Sequence, residues 1–350
     1  MSVLFGISLL PDASPSRLAP EEYFRAALAV AKVADEGRLQ TVKITEHYLH
    51  AYGGYCPSPV VFLAAVAAIT SRIRLMTGCI LPAFHNPIQM AAETAMLDCI
   101  SGGRLDVGFA RAYLPYEFAA FGVSMDDSRE IFFERIATVI ELWKGDLSHI
   151  QLGGNNKRSY VPLPPPAQAP HPPIWAAAVL SPQSFAAIGE HGFNLLVNGG
   201  LSEPSRTQDL IDIYRGAAPS AQAAVAISVP LVIRKSHGEA LAAAEERLQW
   251  YLKTWADAAS SCKDHSSPAY PGYAQLAQRI SAVSLKELMQ TGNVIAGDPR
   301  SVLDQTQELL ARLKVDQVLW QLDFGSPDQE SMLCSLDLFL NDVLPSIMTE

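Results

Sequence analysis

Residues 45–111 begin with Thr45-Glu46-His47-Tyr48, continue through Arg74-Leu75-Met76-Thr77-Gly78-Cys79-Ile80-Leu81-Pro82 and close with Arg104-Leu105-Asp106-Val107-Gly108-Phe109-Ala110-Arg111. Apolar, helix-like segments separate these three pieces. Each piece follows or contains a short apolar run that ends in polar or conformationally special residues. In a barrel of parallel strands the carboxyl ends all open onto one face, and catalytic groups gather there. The stretch therefore predicts a barrel whose functional site lies at that face.

Strand-like runs rich in Val, Ile and Leu recur along the whole chain and are nearly free of charge, as strands buried on both faces must be. The eight predicted strands are Val3–Leu10, Thr41–Thr45, Ile73–Leu81, Leu105–Ala110, Pro173–Ala178, Asn194–Asn198, Val225–Ile233 and Gln317–Asp323. Eight strands favour a closed (β/α)8 TIM barrel, and an open doubly wound sheet is the alternative. We expect a single domain over residues 1–350.

Helix-like segments alternate with these strands, and several begin with proline, which the first helical turn tolerates. The predicted helices are Pro20–Glu36, Pro57–Ser71, Pro87–Ile100, Ser128–Trp143, Pro182–His191, Pro204–Arg215, Gly238–Trp255, Pro299–Leu313 and Met332–Leu344. This alternation of strand and helix indicates a parallel sheet.

Two stretches interrupt the alternation. The proline-dense residues Val161–Pro173 predict an extended insertion before strand five, and an interdomain linker is the alternative. Residues Asp257–Tyr273 are polar and contain glycine and proline, which predicts a long loop after strand seven and its helix. Long loops in compact domains often serve as lids or binding loops.

The composition narrows the class of protein. Hydrophobic residues make up 49% of the chain and charged residues 18%, which indicates a globular fold with a large core. The net charge is −10 without a basic patch, so nucleic-acid binding is not expected. No run reaches the ~18 apolar residues of a membrane span, so no membrane partner is expected. The five cysteines show no CxxC spacing, which favours a reduced, cytoplasmic setting.

Short motifs along the chain occur in the order found in one known family. They are Ala34-Asp35-Glu36-Gly37, Thr45-Glu46-His47, Arg72-Ile73-Arg74-Leu75, Leu81-Pro82 with His85-Asn86-Pro87, Leu97-Asp98 with Ser101-Gly102-Gly103-Arg104-Leu105, Glu117-Phe118 with Phe121-Gly122, Ser181-Pro182-Gln183-Ser184 with Gly192, Gly297-Asp298-Pro299, and Leu338-Phe339 with Val343-Leu344-Pro345. Each motif is weak alone, but the ordered set is specific. The chain resembles the bacterial-luciferase-like, flavin-dependent monooxygenases, whose fold is a (β/α)8 barrel.

The resemblance implies an enzyme that binds reduced FMN from a separate NAD(P)H:flavin reductase. The reduced flavin would react with O₂ to a C4a-peroxide that oxygenates a small organic substrate, as in hydroxylation, epoxidation or Baeyer–Villiger oxidation in secondary metabolism. A homodimer through the helices near strands two and three is also implied. The alternatives are an F420 (deazaflavin)-dependent oxidoreductase of the same superfamily and a non-catalytic flavin-binding subunit. No G-x-G-x-x-G motif follows a strand, so no nucleotide site of that type is expected.

The resemblance assigns a phosphate-binding role to Arg111, whose guanidinium suits a phosphate, although a salt bridge to a carboxylate is the alternative. Ser181 and Ser184 stand at the first turn of a predicted helix, where unpaired N–H groups attract anions. Thr77 and Gly78 are predicted to lie beside the flavin ring, where relatives can carry a non-proline cis peptide.

The predicted catalytic residues are His47, which can exchange protons near neutral pH, and Glu46, which would orient His47 or hold nearby backbone. The alternative for His47 is a structural histidine bonded to the backbone. Tyr48, His85 and Tyr113 are the predicted substrate contacts, and with Phe5 they suggest an apolar or aromatic substrate. For His85 a helix-capping role is equally open. His47 and His50 lack the HExxH spacing of a zinc hydrolase, which leaves that class a remote rival with no predicted metal.

Overall fold

The computed structural model describes residues 3–145, 164–219, 223–263 and 267–348. Its centre is a ring of parallel strands. The strands are β1 Leu4–Leu9, β2 Thr41–Ile44, β3 Arg74–Thr77, β4 Leu105–Phe109, β5 Ile174–Ala178, β6 Asn194–Asn198, β7 Val225–Ile233, β8 Ile295–Gly297 and β9 Gln317–Gln321. Strands β1 to β7 and β9 form the ring, which closes through β6 and β7. The closed barrel confirms the predicted fold class over the open sheet.

The eight barrel strands are the eight predicted ones, with shorter limits at some ends. The short strand β8 was missed: it pairs with β7 alone, through Ile233 and its neighbours, and lies outside the ring. Strand β3 ends at Thr77 rather than Leu81. The peptide between Gly78 and Cys79, just beyond it, is cis.

Helices surround the barrel, and prolines stand in the first turn of seven of them. The helices are α1 Pro20–Glu36, α2 Pro59–Ile69, α3 Pro87–Ser101, α4 Pro115–Phe121, α5 Ser128–Trp143, α6 Pro182–Glu190, α7 Pro204–Ala217, α8 His237–Ser260, α9 Leu276–Ala282, α10 Leu285–Gln290, α11 Pro299–Arg312, α12 Gln329–Leu338 and α13 Leu344–Met348. A π-helical turn, Phe339–Val343, joins the last two. The short helices α4, α9 and α10 were not predicted.

The two predicted insertions are described by the structure only in part. Residues 146–163 lie outside the described residues, so the insertion before β5 is seen only from residue 164 onward. The loop predicted to start at Asp257 starts later, because α8 continues to Ser260. The remainder of that segment, with residues 264–266 outside the described part, leads to the turn at Tyr273. We call residues 267–273 the cavity loop.

The C-terminal helical segment Gln329–Met348 is long and apolar enough to cross a membrane by length and composition alone. It is not the unbroken run of apolar residues that the sequence analysis considered, because Glu330, Asp337 and Asp342 lie within it. In the fold this segment is an outer helix of the barrel: α12 contacts α1 and β7, and Met332 and Leu336 are buried.

Side chains inside the barrel form layers that direct the site to one end. At the amino end, Arg74 Nε lies 2.8 Å from Asp106 Oδ2, and the pair is largely buried. Above it, Met76, Trp175 and Leu319 form an apolar layer. The ion pair and the apolar layer fill the barrel interior towards its amino end, so the site lies at the carboxyl end.

Candidate active site

A cavity of about 200 Å³ opens at the carboxyl ends of the barrel strands. Its walls come from the segments after β1 to β6 and from the cavity loop, which contributes Tyr270. Seven of the ten predicted site residues line it: Glu46, His47, Gly78, Arg111, Tyr113, Ser181 and Ser184. The carboxyl ends of strands far apart in sequence thus assemble one site, as the barrel prediction requires.

Arg111 occupies one end of the cavity and is fixed there before any ligand binds. Its Nη2 donates to Ser128 Oγ at 3.0 Å and to the Ala269 carbonyl at 3.2 Å, and its guanidinium lies 4.5 Å from the centre of the Tyr270 ring. Its Nε is buried without a hydrogen-bond partner in the described part of the chain. No carboxylate in that part lies within salt-bridge distance of Arg111, so the salt-bridge alternative is not observed. A buried unpaired donor on a cation is the feature that an anionic ligand would satisfy.

A second arginine reinforces this end. Arg129 on α5 donates from Nη2 to Ser184 Oγ at 3.3 Å. Burial, and then the charge of Arg111, lower the pKa of Arg129 below its ordinary value. Ser181 is the N-cap residue of α6, as predicted, but its side chain makes no capping hydrogen bond. Arg111 and the hydroxyls of Ser181 and Ser184 therefore line the cavity near the start of α6, and Arg129 adds a second positive charge through Ser184.

His47 occupies another part of the cavity wall, after β2. Its Nδ1 lies 3.0 Å from Oε1 of Glu117, a fully buried carboxylate that also accepts from the Tyr48 N–H at 2.9 Å. When Nδ1 donates to this carboxylate, Nε2 of the imidazole faces away from Glu117 and is left for another partner. Glu117 therefore sets the orientation of His47.

Of the two roles predicted for Glu46, orienting His47 or holding nearby backbone, the structure shows the second, and the side-chain partner of its carboxylate is His85 rather than His47. Glu46 Oε1 lies 2.7 Å from His85 Nε2, and Glu46 Oε2 accepts from the Leu81 N–H at 3.3 Å. The predicted hold on nearby backbone is thus observed. Burial would lower the pKa of His85, but the hydrogen bond and the charge of Glu46 raise it above the ordinary value. The helix-capping role belongs to Asn86, whose side chain accepts from the Ile88 N–H at 2.8 Å.

Three predicted residues lie outside the cavity lining. Thr77 is fully buried, and its hydroxyl is bonded to both the N–H and the carbonyl of Gly108. Tyr48 packs against Phe121 with ring centres 4.8 Å apart, and its hydroxyl lies 3.3 Å from His85. Both therefore belong to the wall behind the cavity, as does His85. The prediction that Phe5 borders the substrate pocket was also wrong, because its ring packs against Trp320 and Phe339.

The backbone of Gly78 lies so close to the Lys43 side chain that no residue with a Cβ would fit at this position. A Cβ at Gly78 would lie 2.0 Å from Cγ of Lys43, so the backbone of Gly78 packs directly on that side chain. The peptide that follows, Gly78–Cys79, is the cis bond, one residue later than the Thr77–Gly78 position suggested by the resemblance.

A second, smaller cavity of about 80 Å³ adjoins the first. Tyr52 and Tyr113 line both cavities and also contact the His47 ring, at 5.1 and 6.1 Å between ring centres. Trp255 stacks on Tyr52 and donates from Nε1 to the Tyr113 hydroxyl at 3.0 Å. Aromatic side chains therefore connect the imidazole to a mainly apolar chamber.

A family model described as luciferase-like monooxygenase matches residues 3–317. The chain belongs to the luciferase-like monooxygenase family. Crystallised monooxygenase RslO1 from Streptomyces bottropensis has the same fold with a TM-score of 0.83, at 32% identity over 98% of this chain and 99% of that one. The family assignment therefore rests on both sequence and structure.

Relatives of this luciferase-like monooxygenase include flavin enzymes. The oxygenase component of the flavin-dependent trigonelline monooxygenase of Acinetobacter baylyi is 27% identical over 352 residues, 93% of this chain and 90% of that protein. The oxygenating constituent of 3,6-diketocamphane monooxygenase of Pseudomonas putida, in complex with FMN, shares the fold with a TM-score of 0.79 at 18% identity, covering 99% and 98% of the chains. F420-dependent glucose-6-phosphate dehydrogenases also match.

Several site residues of this luciferase-like monooxygenase were missed from sequence. Glu117 was noted in a motif, but nothing in the spacing links it to His47, 70 positions earlier. Arg129 and Tyr270 carried no signal, because a charged residue on a predicted helix and a tyrosine in a loop are common. His50 lies at the surface, 3.2 Å from Asp257. Within the described ranges, no three potential metal ligands come together.

Proposed function

We propose that this protein is a two-component monooxygenase that uses reduced FMN and O₂ to oxygenate a small organic substrate. The observation that carries the proposal is Arg111 in the cavity wall, together with Arg129 bonded to the cavity residue Ser184 at the start of α6. Neither arginine has a carboxylate partner in the described part of the chain. A phosphorylated ligand with its reactive part towards His47 suits this arrangement of charge.

The residues present suit the phosphate of FMN. Arg111 has a buried Nε without a partner, and Ser184 already lies beside Arg129. Ser181 has a hydroxyl that α6 does not use for capping. These groups would hold the phosphate, and Gly78, which has no side chain, lines the cavity where the ring system would lie. When bound, reduced FMN supplies the electrons with which O₂ is activated for insertion into the substrate.

His47 would hold or transfer a proton at the reacting end. With Nδ1 bonded to Glu117, its Nε2 can accept a proton from a cavity ligand and return it, and the buried carboxylate stabilises the imidazolium in between. The aromatic residues around the ring exclude water from this exchange. Tyr52 and Tyr113 therefore contribute by position and shape.

The second cavity is the proposed place for the substrate. Its wall of Tyr52, Tyr113, Trp255 and Tyr273 suits an apolar or aromatic molecule, which would reach the His47 side through the shared tyrosines. A separate reductase would deliver the reduced flavin, as the naming of one relative as an oxygenase component suggests. The five cysteines are all free, which supports the proposed cytoplasmic setting.

A homodimer through α2 and α3 is part of the proposal. These helices expose Val61, Ile69, Ile88, Met96 and Ile100, with exposed fractions from 44% to 71%. Large apolar side chains so close together on an outer surface are typical of a protein interface. Analytical ultracentrifugation should show a dimer that Val61→Asp weakens, whereas a monomeric wild type contradicts the interface.

The function is tested by anaerobic titration with reduced FMN, followed by mixing with O₂ and absorbance measurement. We expect tight binding of reduced FMN, and reoxidation of the bound flavin in resolved phases that differ from those of free FMN. His47→Gln should keep flavin affinity but lower substrate oxygenation by about 100-fold or more. F420-dependent dehydrogenases among the relatives make F420 the second candidate. Tight binding of F420 without O₂ consumption would replace the monooxygenase assignment.

A further inference from the structure

Lys43 is a buried cation on the floor of the larger cavity, and the proposed roles above do not use it. It lies on β2 with 8% of its surface exposed and lines the cavity. Its Nζ donates to Thr45 Oγ1 at 3.4 Å, a long hydrogen bond, and no carboxylate of the described ranges lies within salt-bridge distance. An ammonium group with so few partners is unusual inside a protein, because burial removes its hydration.

The surroundings of Lys43 include an unused donor on the same face and one carboxylate, that of Asp323, which lies beyond salt-bridge distance. Ser8 pairs in register with Lys43 on one side and with Gln321 on the other, so the three side chains stand on the same inner face of the barrel. The Nε2 of Gln321 is buried without a hydrogen-bond partner among the described residues. A ligand acceptor at the floor would give the Lys43 ammonium a partner that the protein supplies only through one long hydrogen bond.

The position of the lysine is also well defined. The backbone at Gly78 packs so closely on Cγ, Cδ and Cε that a Cβ there would overlap all three atoms. Burial lowers the pKa of Lys43, while the charges of Cys79 and Asp323 act in the opposite direction. A ligand with negative charge at the floor would favour the charged ammonium further.

We propose that Lys43 binds a negatively charged group of the ligand at the cavity floor and that, given the proposed function, this group is the anionic ring of reduced FMN. The oxidised ring is neutral, so the lysine attracts the two redox states unequally. A protein charge near the flavin ring is a general means of tuning the cofactor. For an enzyme that must capture reduced flavin in the presence of oxidised flavin, this difference in affinity is useful. An acidic group on the organic substrate is the competing source of the same anionic chemistry.

The test compares Lys43→Met with Lys32→Met, which removes an exposed lysine from α1 as a matched control. Affinities are measured for oxidised FMN, for reduced FMN without oxygen, and for benzoate against neutral benzamide on the flavin-free protein by calorimetry. Replacement of a buried charge by an apolar side chain is often tolerated. Lys43→Gln is a second variant, and circular dichroism confirms folding of each.

We expect Lys43→Met and Lys43→Gln to lower the affinity for reduced FMN by about tenfold or more, with the affinity for oxidised FMN changed by less than about twofold. Unchanged flavin affinities together with loss of benzoate binding alone would assign the anion to the substrate and overturn the flavin assignment. Affinities equal to those of Lys32→Met in all titrations would overturn the role of Lys43 altogether. Failure of the wild type to bind FMN in either state would refute the proposed function, whereas the benzoate arm would still decide the role of Lys43.

Discussion

Replacement of Arg111 by methionine should weaken FMN binding while leaving riboflavin binding nearly unchanged. Riboflavin carries the same ring system without the phosphate, so the two ligands separate phosphate contact from every other effect. In the structure, Nη2 of Arg111 is already bonded to Ser128 and to the Ala269 carbonyl, whereas Nε is buried and unpaired. The guanidinium is therefore held in place by the protein and keeps a free donor for the ligand.

The size of the expected loss in FMN affinity follows from the unpaired Nε of Arg111. A hydrogen bond to a charged group is worth about 1.5–3 kcal/mol, so loss of one such contact corresponds to about 10- to 100-fold weaker FMN binding. Arg129→Met should give a loss of similar order, because Arg129 reaches the same end of the cavity through Ser184. The double variant should lose less than the sum of the two, since both cations would contact one phosphate.

The assay is fluorescence titration of the folded protein with FMN and with riboflavin. We expect Arg111→Met to lower the affinity for FMN and to leave the affinity for riboflavin nearly unchanged. Equal losses would mean that Arg111 supports the cavity wall through the Tyr270 ring rather than binding phosphate. An unchanged FMN affinity in Arg111→Met would refute the assignment of this end of the cavity.

Glu117→Ala should cost about 1–3 kcal/mol of the free energy of unfolding, measured in urea, because it leaves the His47 ring and the Tyr48 N–H without their acceptor. Glu117→Gln keeps an acceptor and should cost less. His85 has a raised pKa in the folded state, so its contribution to stability is full below about pH 6.5 and is lost as the pH rises through the folded value; His85→Gln should remove that part of the pH dependence of unfolding. Gly78→Ala should destabilise by about 1–3 kcal/mol through overlap with the lysine beneath it, whereas a thermal midpoint equal to that of wild type would show that this side chain can move aside.

The barrel was predictable because its signals are local. Runs such as Leu105–Phe109 are apolar and short, as a strand buried on both faces must be, and proline marks the starts of helices such as α3. The short helix α10 begins with a capping box of Ser284 and Glu287, a local sequence signal for a helix start that the predicted helices do not include. Strand β8 has three residues, too few for any periodic pattern.

The site was predictable only in part. Arg111 and His47 stand at strand ends, and the order of strands in a barrel brings such residues to one face. Tyr48 and His85 stand at equally suitable positions, yet both side chains turn away to the buried cluster behind the wall. A strand end specifies the face of the barrel but not the direction of each side chain beyond it.

The amino-acid sequence by itself determined the order of strands and helices, the closed barrel and the carboxyl-end location of the site, because hydrophobic period and helix starts depend on near neighbours in the chain. The tertiary structure alone decided which charges meet. The partner of His47 is Glu117 and not the adjacent Glu46. Arg111 lacks a carboxylate partner in the described part of the chain, and Lys43 is buried at the cavity floor. These pairings join residues up to about 160 positions apart, as Arg111 and Ala269 are, and only the packing of the closed barrel fixes the distances between them.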